Sequence, residues 1–588
     1  MTTGGSERPG GVRYQPDERP PILLSGGLGL QLAILCIAGV ALAPAIVVRA
    51  AGGSESYLTW AVFAAVLVSG VSTVLQARRI GRIGAGYVLV MGTSGAFIAI
   101  CVAAIAQGGP AMLATLVVIS SLFQFLLAWR LSLLRRILTP TVAGTVIMLI
   151  PVTVMPIVFG MLSQVPEGSP ALAAPLSALV TALVIAAIAL KATGALRLWA
   201  PVIGIVAGCG VAGYFGLYEV ERIANAAWVG LPEGAWPGFD LDFGPVFWGL
   251  LPAFVFVTLV GAIETVGDGV AIQRVSWRKP RAVDFRAVQG AVGADGVGNL
   301  LSGLMGTVPN TTYSTSISVT ALTGVGARSV GIALGIVFVA VAFIPKALAV
   351  VMAIPGPVAA AYITVLLGLL FVVGMRIVVQ DGLDYRKGLI AGISFWIGVG
   401  LQNGVIFPEH VSGIAGGLLE NGMTGGGLVA ILLTLFVELT SPRRRRMQAP
   451  FEVASLPEIR AFLERFASRS GWSAAMAQRL DAAAEEALLT LLREGEGEEE
   501  GGAAARKRRL LLTAHREGGG AVLEFIAAPG DDNLEDRIAV MSEQADGAPE
   551  HEVSLRLLRH LASSVRHQQY HDTDIVTIRV DTPAPGRS

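Results

Sequence analysis

Apolar stretches long enough to cross a lipid bilayer recur through the first three quarters of the chain. Each approaches the roughly 20 apolar residues that a spanning helix needs. Twelve clear stretches begin near Ile22, Tyr57, Tyr87, Met112, Leu138, Leu172, Leu198, Val246, Val330, Val358, Leu389 and Leu428. Two further segments, 290–304 and 311–323, are shorter and rich in Gly, Ser and Thr. The pattern predicts an α-helical polytopic membrane domain of about 14 spans over residues 22–440.

Two of these spans are interrupted by small and polar residues. The sequence MGTSGAFIAI (91–100) lies in the third span, and GTVPNTTYSTSISV (306–319) lies in the tenth. Unpaired backbone at membrane depth is tolerated only where it lines a cavity or is buried in protein. Because the two segments are seven spans apart, we expect two inverted seven-span repeats with a substrate site where the broken elements meet.

Basic residues alternate from loop to loop. The loops after the even-numbered spans carry Arg78, Arg79, Arg82, Arg130, Arg135, Arg136, Lys191, Arg197, Arg274, Arg278, Lys279, Arg281, Arg286, Arg376, Arg386, Lys387 and the run 443–446. The loops between them are poor in Lys and Arg. Since basic loops stay on the cytoplasmic side, the alternation predicts that both termini are cytoplasmic.

Charge is concentrated in the last quarter of the 588-residue chain. Residues 441–588 hold 20 basic and 24 acidic side chains, whereas the first 440 hold 23 and 19. The contrast predicts a soluble domain over 451–588, joined to the membrane domain by a basic linker at 441–450. The polar, Pro- and Gly-rich residues 1–21 are expected to be disordered. Only 15% of the chain is charged, against about 25% in soluble proteins, which excludes a nucleic-acid binder.

Four charged residues lie inside apolar stretches, where a charge costs roughly 2.5–3.5 kcal/mol on insertion scales. Glu264 and Asp268 are four residues apart and share one helix face, and Asp295 and Lys346 lie in later spans. More than two apolar turns precede Glu264, which favours a ligand role over a helix-end carboxylate. Asp268 and Asp295 fit a structural hydrogen-bonding role as well as a ligand role. Lys346 is interpreted as structural.

Several of these segments resemble one membrane-protein family, the nucleobase–ascorbate transporters, also called uracil–xanthine permeases. The matching stretches cover roughly residues 22–440 and include MGTSGAFI (91–98), TPTVAGTVIMLI (139–150), ETVGD (264–268), ADGVGNLLSGLMGTVPNTTY (294–313), TALTGVGARSVG (320–331) and IPGPV (354–358). The resemblance implies 14 spans arranged as core and gate domains. It also implies proton- or sodium-coupled uptake of a purine or pyrimidine base, and a homodimer.

The resemblance assigns roles to residues at matching positions. Glu264 corresponds to the glutamate that binds the N–H and carbonyl edge of the base, and it would also take part in ion coupling with Asp268 and Asp295. Thr93 and Ser94 correspond to the extended segment of span three. An ionised carboxylate accepts hydrogen bonds from a urea-like pair of N–H groups, which agrees with the role of Glu264.

Span ten departs from the family pattern. Thr315 stands where the family has Gln or Glu, Ser316 replaces an Asn, and Ser318 replaces a Gly. A hydroxyl group can donate and accept, but it is too short for a bidentate contact. We therefore expect Thr315 and Ser316 to contact a substrate that differs from uracil and xanthine.

The soluble region contains the predicted helices LPEIRAFLERFASRSG, SAAMAQRLDAAAEEALLTLLRE and HEVSLRLLRHLASSVRH and the predicted strands RLLLTAHRE, AVLEFIAA and IVTIRVD. In this order they resemble a second family, the GHKL ATPases of the anti-sigma-factor kinase type, over roughly residues 451–581. The helix RLDAAAEEALLTLL is similar to the helix that binds Mg²⁺ in that family, but Thr490 stands in place of the metal-binding Asn. Glu552 and Ser554 stand in place of glycines that let the backbone approach phosphate groups. The resemblance therefore implies an α/β sandwich that does not bind ATP, with a role in dimerisation or regulation.

The sequence thus predicts a secondary active transporter of a nucleobase-like compound in the bacterial inner membrane, and not an enzyme. No cofactor and no metal site are expected, since Cys36, Cys101 and Cys209 all lie in apolar runs without metal-ligand spacing. The alternative hypothesis is a membrane-bound sensor built on a degenerate transporter core.

Overall fold

The computed structural model describes residues 11–134, 139–380, 382, 384–410, 419, 421–440, 444–494, 509–517, 519–527 and 557–582. The chain divides into two compact units. One comprises residues 1–278 with 287–435, and the other comprises 279–286 with 436–588. They are described separately below.

The first unit is a helical membrane domain. Its helices are α1 (Ile22–Ala50), α2 (Glu55–Arg78), α3 (Ile98–Trp129), α4 (Leu131–Leu134), α5 (Pro140–Gly160), α6 (Ala173–Lys191), α7 (Ala195–Tyr214), α8 (Val220–Asn225), α9 (Pro245–Ser276), α10 (Phe285–Leu304), α11 (Thr315–Thr323), α12 (Arg328–Ala342), α13 (Pro345–Met352), α14 (Gly356–Val379), α15 (Tyr385–Gln402) and α16 (Gly422–Thr440). Among the described residues, nine helical stretches are long and apolar enough to cross a membrane, or ten if the bent pair α12–α13 forms one span.

This count is lower than the predicted fourteen for identifiable reasons. The predicted spans three and four fall in the single helix α3, which is interrupted at Gly109 by a left-handed backbone conformation with φ of 80°. That conformation suits glycine because it has no Cβ. Helix α11 has only nine residues, and α10 is rich in Gly and polar residues.

The two interrupted spans form extended strands, as their composition suggested. Strand β1 (Val90–Thr93) precedes α3, and strand β2 (Asn310–Tyr313) precedes α11. They pair antiparallel, with Val90 opposite Tyr313 and Thr93 opposite Asn310. The pairing satisfies backbone groups that have no access to water at this depth.

The N-terminal residues 11–21 differ from the predicted disorder. The backbone N–H groups of Arg13 and Tyr14 both donate to the Gly324 carbonyl, at 2.7 and 3.0 Å. Arg278 binds both carboxylate oxygens of Glu18, at 2.6 and 2.7 Å. This guanidinium holds the pKa of Glu18 below its usual value. The described part of the N-terminus is therefore an ordered strap against the loop between α11 and α12.

The second unit contains an antiparallel five-stranded sheet and two amphipathic helices. The strands are β3 (Arg445–Pro450), β4 (Arg509–Glu517), β5 (Gly520–Ala527), β6 (Ser564–Gln569) and β7 (Asp574–Val580), in the order β3-β4-β5-β7-β6. The helices are α17 (Leu456–Arg469) and α18 (Ala474–Glu494). Leu463, Leu480, Leu512 and Phe525 belong to the buried core that the helices and the sheet share.

Residues 445–450 were predicted to belong to a linker, but they form the edge strand β3 of this sheet. An arginine run indicates a solvated segment, but only the side chains are solvated here. Arg445 and Arg446 are both exposed, while the backbone of this edge strand pairs with β4. The Thr490 hydroxyl donates to the Glu486 carbonyl at 2.7 Å, one turn back on α18. Glu552 and Ser554 lie outside the described residues.

Candidate functional site

The candidate site is built where the two broken spans meet. Each strand ends just before a helix, so the N-termini of α3 and α11 both begin beside the β1–β2 pair. Helix N-termini carry unpaired N–H groups and a partial positive charge. The arrangement therefore brings two hydrogen-bond-donating helix ends close to the β1–β2 pair.

Helix α9 supplies Glu264 and Asp268, and helix α10 supplies Asp295. Glu264 lies beside Asp268, Asp295 and Tyr313, with which it interacts electrostatically. No hydrogen bond in the described part of the chain involves the Glu264 carboxylate, and the residue is partly exposed. It is therefore an acceptor without a protein donor, as a ligand-binding carboxylate would be.

Strand β2 is fastened to α9 at two residues that follow Glu264 in the helix. The Thr312 hydroxyl donates to Asp268 Oδ2 at 2.9 Å. The hydroxyls of Thr311 and Thr265 lie 3.4 Å apart. These contacts fix the strand relative to the turn of α9 that carries Glu264. Asp268 thus has a structural partner, which was one of its two predicted roles.

Thr93 and Ser94 lie at the end of β1, but they differ in their contacts. Thr93 Oγ1 lies 3.1 Å from the carbonyl oxygens of both Gly39 and Val40, so its hydroxyl holds β1 against α1. Ser94 is 1% exposed, and its hydroxyl has no hydrogen-bond partner among the described residues. Of the two, Ser94 therefore retains a hydroxyl that a ligand could use.

Thr315 and Ser316 begin helix α11, and they also divide into two roles. Ser316 is fully buried, and its Oγ lies 3.1 Å from the Tyr313 carbonyl and 3.4 Å from the Val90 N–H. Its hydroxyl therefore joins the two broken spans. Thr315 is partly exposed and lies within hydrogen-bond reach of the Cys36 thiol.

Tyr313 is a site residue that the sequence did not single out. Its hydroxyl donates to the Thr93 carbonyl at 2.8 Å. A Cβ on Gly92 would lie 2.5 Å from its ring, and one on Gly39 would lie 3.3 Å away. The ring therefore contacts β1 at Gly92 and α1 at Gly39.

The remaining intramembrane charges occupy different surroundings. Asp295 is fully buried and accepts from Gln124 and Thr265, at 2.7 and 2.8 Å. Lys346 lies 4.8 Å from the centre of the Trp228 ring, and its amine donates to the Ala224 carbonyl at 3.4 Å. Gln124 was missed, although a glutamine within the apolar run SSLFQFLLAW was a signal that could have found it.

Comparison with known proteins places this geometry in a family. Residues 26–406 match the model Xan_ur_permease, described as a permease family. The chain belongs to this permease family. The match includes β1, β2, α9 and the three carboxylates, and it ends before residues 436–588, which make up most of the second unit.

Individual permeases align along almost their whole length. Xanthine permease XanP of Escherichia coli (strain K12) is 27% identical over 442 residues, which covers 72% of this chain and 94% of the relative. Uric acid permease PucK of Bacillus subtilis (strain 168) is 27% identical over 422 residues, covering 71% and 96%. The transmembrane domain of a cyanobacterial bicarbonate transporter, BicA, superposes with a TM-score of 0.43 and 16% identity, covering 72% of this chain and all of that one. This permease-family chain is a multi-pass membrane protein, and it is not an enzyme.

Proposed function

We propose that this permease-family protein is a secondary active transporter of a purine or pyrimidine base, or a related heterocycle, across the bacterial plasma membrane. The observation that carries the proposal is the Glu264 carboxylate, which has no donor among the described residues and lies next to Thr265, whose hydroxyl is 3.4 Å from that of Thr311 in β2. A base with adjacent N–H groups would donate to this carboxylate. The names of its relatives, which include a xanthine permease and a uric acid permease, support the same substrate class.

The other contacts would come from the ends of the two half-helices. The Ser94 hydroxyl has no hydrogen-bond partner among the described residues, and the partly exposed Thr315 places a second hydroxyl at the start of α11. Thr93 and Ser316 would contribute indirectly, because their hydroxyls hold β1 in place. Tyr313 would provide an aromatic face close to Glu264, which suits a flat heterocycle.

Transport would be coupled to a proton or to sodium through Glu264, Asp268 and Asp295. A buried carboxylate is costly as an isolated charge, so binding a cation there lowers the cost. We further propose fourteen spans as two inverted repeats, with α3 counted as two spans joined at Gly109, and cytoplasmic termini. The second unit would serve dimerisation or regulation as a GHKL-like domain without ATP binding.

Uptake into proteoliposomes tests this function. Purified protein would be reconstituted, and radiolabelled xanthine, uric acid and uracil would be offered under imposed proton and sodium gradients. We expect gradient-driven accumulation of at least one heterocycle. Glu264→Gln should weaken its binding about ten- to a hundredfold, because a hydrogen bond to a charged group contributes roughly 1.5–3 kcal/mol.

The matched control is Glu55→Gln, since Glu55 is an exposed glutamate at the start of α2. It should bind and transport like the wild type. If the wild type accumulates none of a broad panel of heterocycles under either gradient, the proposed transport is wrong. If Glu264→Gln binds as tightly as the wild type, the assignment of Glu264 is wrong.

A further inference from the structure

A chain of buried polar side chains connects the start of β2 to Asp295 through the apolar interior. The Asn310 backbone N–H donates to Asn299 Oδ1, Asn299 Nδ2 donates to Gln124 Oε1, and Gln124 Nε2 donates to Asp295 Oδ2. Each of the three distances is 2.7 Å. All four residues are at most 4% exposed. The chain links α3 and α10 to the broken span ten.

The direction of every link follows from its first donor. A backbone N–H can only donate, so it must face the oxygen of the Asn299 amide and not its nitrogen. The nitrogen of Asn299 must then face the oxygen of Gln124. The nitrogen of Gln124 is left to donate to Asp295. Neither amide can be flipped without breaking a bond at both of its ends.

The two oxygens of Asp295 are therefore unequal. Oδ2 accepts from Gln124 and also from the Thr265 hydroxyl of α9, at 2.7 and 2.8 Å. Oδ1 is buried and has no hydrogen-bond partner in the described part of the chain. A proton or metal cation that joins this carboxylate would thus be held at Oδ1. A cation there weakens Oδ2 as an acceptor, because it withdraws negative charge from the group.

We propose that Gln124 is a positioning residue that couples the cation state of Asp295 to the placement of β2. When Asp295 is an uncompensated carboxylate, its bond to Gln124 is charge-assisted and strong. When a cation occupies Oδ1, that bond weakens, and the hold on the Asn310 backbone weakens with it. The inference rests on the proposed cation-coupled transport and names the residue that connects the ion to the substrate.

The readout is the dependence of substrate affinity on the cation. Binding of the base that the uptake panel identifies would be measured on purified full-length protein across a sodium titration and, separately, across a pH titration. Among the described residues, Glu264 is a second titratable group that interacts with Asp295, so both titrations would be repeated in Glu264→Gln wherever binding stays measurable. Wild-type affinity should change by about 5- to 150-fold with the effective cation, as is typical of coupled sites.

Removing the link should remove this dependence. Gln124→Leu keeps both the Asp295 carboxylate and Glu264, yet we expect its substrate affinity to become independent of the cation. The matched control is Gln289→Leu, because Gln289 is another buried glutamine between α10 and α3, and it donates to the Ala128 carbonyl at 3.1 Å. That variant should lose stability but keep the cation dependence. A purely structural Gln124 would behave in the same way as Gln289, which would overturn the proposal.

Exchanging the two side chains provides a rescue test. Gln124→Glu alone places two carboxylates face to face, so binding of the base should fall. Combining it with Asp295→Asn restores a hydrogen bond between positions 124 and 295. In this double variant the amide at position 295 donates to the carboxylate at position 124, whereas in the wild type Gln124 donates to Asp295. We expect the double variant to bind the base more tightly than Gln124→Glu. If the two changes simply add, the residues do not act as a pair and the proposal fails.

Failure of this inference can be told apart from failure of the proposed function. If the wild type binds a base but the cation has no effect on affinity in any variant, coupling through Gln124 is wrong while the substrate assignment stands. If the wild type binds no base, the proposed function itself is wrong. The inference that depends on it then falls too.

Discussion

Gly92 gives a sharp test of the geometry at the β1–β2 crossing. A Cβ on this residue would lie 2.5, 2.7 and 2.8 Å from Cζ, Cε2 and Cε1 of the Tyr313 ring. Carbon atoms in contact are normally about 3.5–4.0 Å apart. Gly92→Ala therefore requires the ring or the strand to move by roughly 1 Å.

Neither the Tyr313 ring nor strand β1 can move freely. The Tyr313 hydroxyl donates to the carbonyl of Thr93, the next residue of the same strand. The Cε2 and hydroxyl end of the ring also meets α1 at Gly39. Overpacking of this kind typically costs about 1–3 kcal/mol. If the protein keeps its fold by displacing Tyr313, the same free energy appears as weaker ligand binding, by roughly 5- to 150-fold.

The assay combines thermal unfolding of the purified protein with ligand affinity. The matched control is Gly95→Ala, three residues along the same segment, because nothing lies within 4 Å of a Cβ there. Adding Tyr313→Ala to Gly92→Ala removes the obstructing ring, so the two effects should be non-additive in a double-mutant cycle. If Gly92→Ala matches Gly95→Ala in both stability and affinity, Tyr313 does not pack on Gly92 as described.

Two further predictions concern the strap and substrate selection. The Arg278 guanidinium lowers the pKa of Glu18 in the folded protein. The ion pair therefore stabilises the folded strap above the usual glutamate pKa of about 4.3, and this stabilisation is lost as the pH falls through the lower pKa of Glu18 in the folded protein. Hydrogen exchange of residues 11–20 should therefore be faster in Glu18→Gln than in the wild type at neutral pH, with the difference vanishing in acid; equal rates at neutral pH would refute this. Thr315→Gln should tighten binding of xanthine by about two- to tenfold, since it adds a neutral hydrogen-bonding group. Ser318→Gln, on an exposed position of the same helix, should not, and equal effects of the two changes would contradict the placement of Thr315 in the site.

The sequence predicted which segments form the site better than it predicted the hydrogen-bond partners of their side chains. Gly, Ser and Thr within otherwise apolar spans marked β1 and β2, because such residues weaken a helix at membrane depth. Glu264 was marked by the cost of its charge. The hydrogen bonds of Gln124 were not predictable, because its partner Asp295 is 171 positions away in the chain. Only the packing of α3 against α9 and α10 brings them together.

Hydroxyl-bearing residues were the least predictable part of the site. Thr93, Ser94, Thr315 and Ser316 have similar side chains and similar positions in the pattern. The structure separates them by what each hydroxyl contacts. Thr93 and Ser316 bond to backbone groups of neighbouring elements, whereas the Ser94 hydroxyl has no partner among the described residues. Composition cannot reveal this difference, because one hydroxyl serves either purpose equally well.

The different contacts of these four hydroxyls limit which ligand the site could bind. Thr315 replaces a longer Gln or Glu of the family pattern, so the start of α11 offers more space and fewer hydrogen-bonding atoms. Ser316 is buried between β1 and β2, so it cannot take over the missing contact. Under the proposed function, recognition would then depend more heavily on Glu264, on Ser94 and on the face of Tyr313. A heterocycle that presents adjacent N–H groups to Glu264 and a bulkier, less polar edge to Thr315 would satisfy all of these contacts without leaving a buried polar group unpaired.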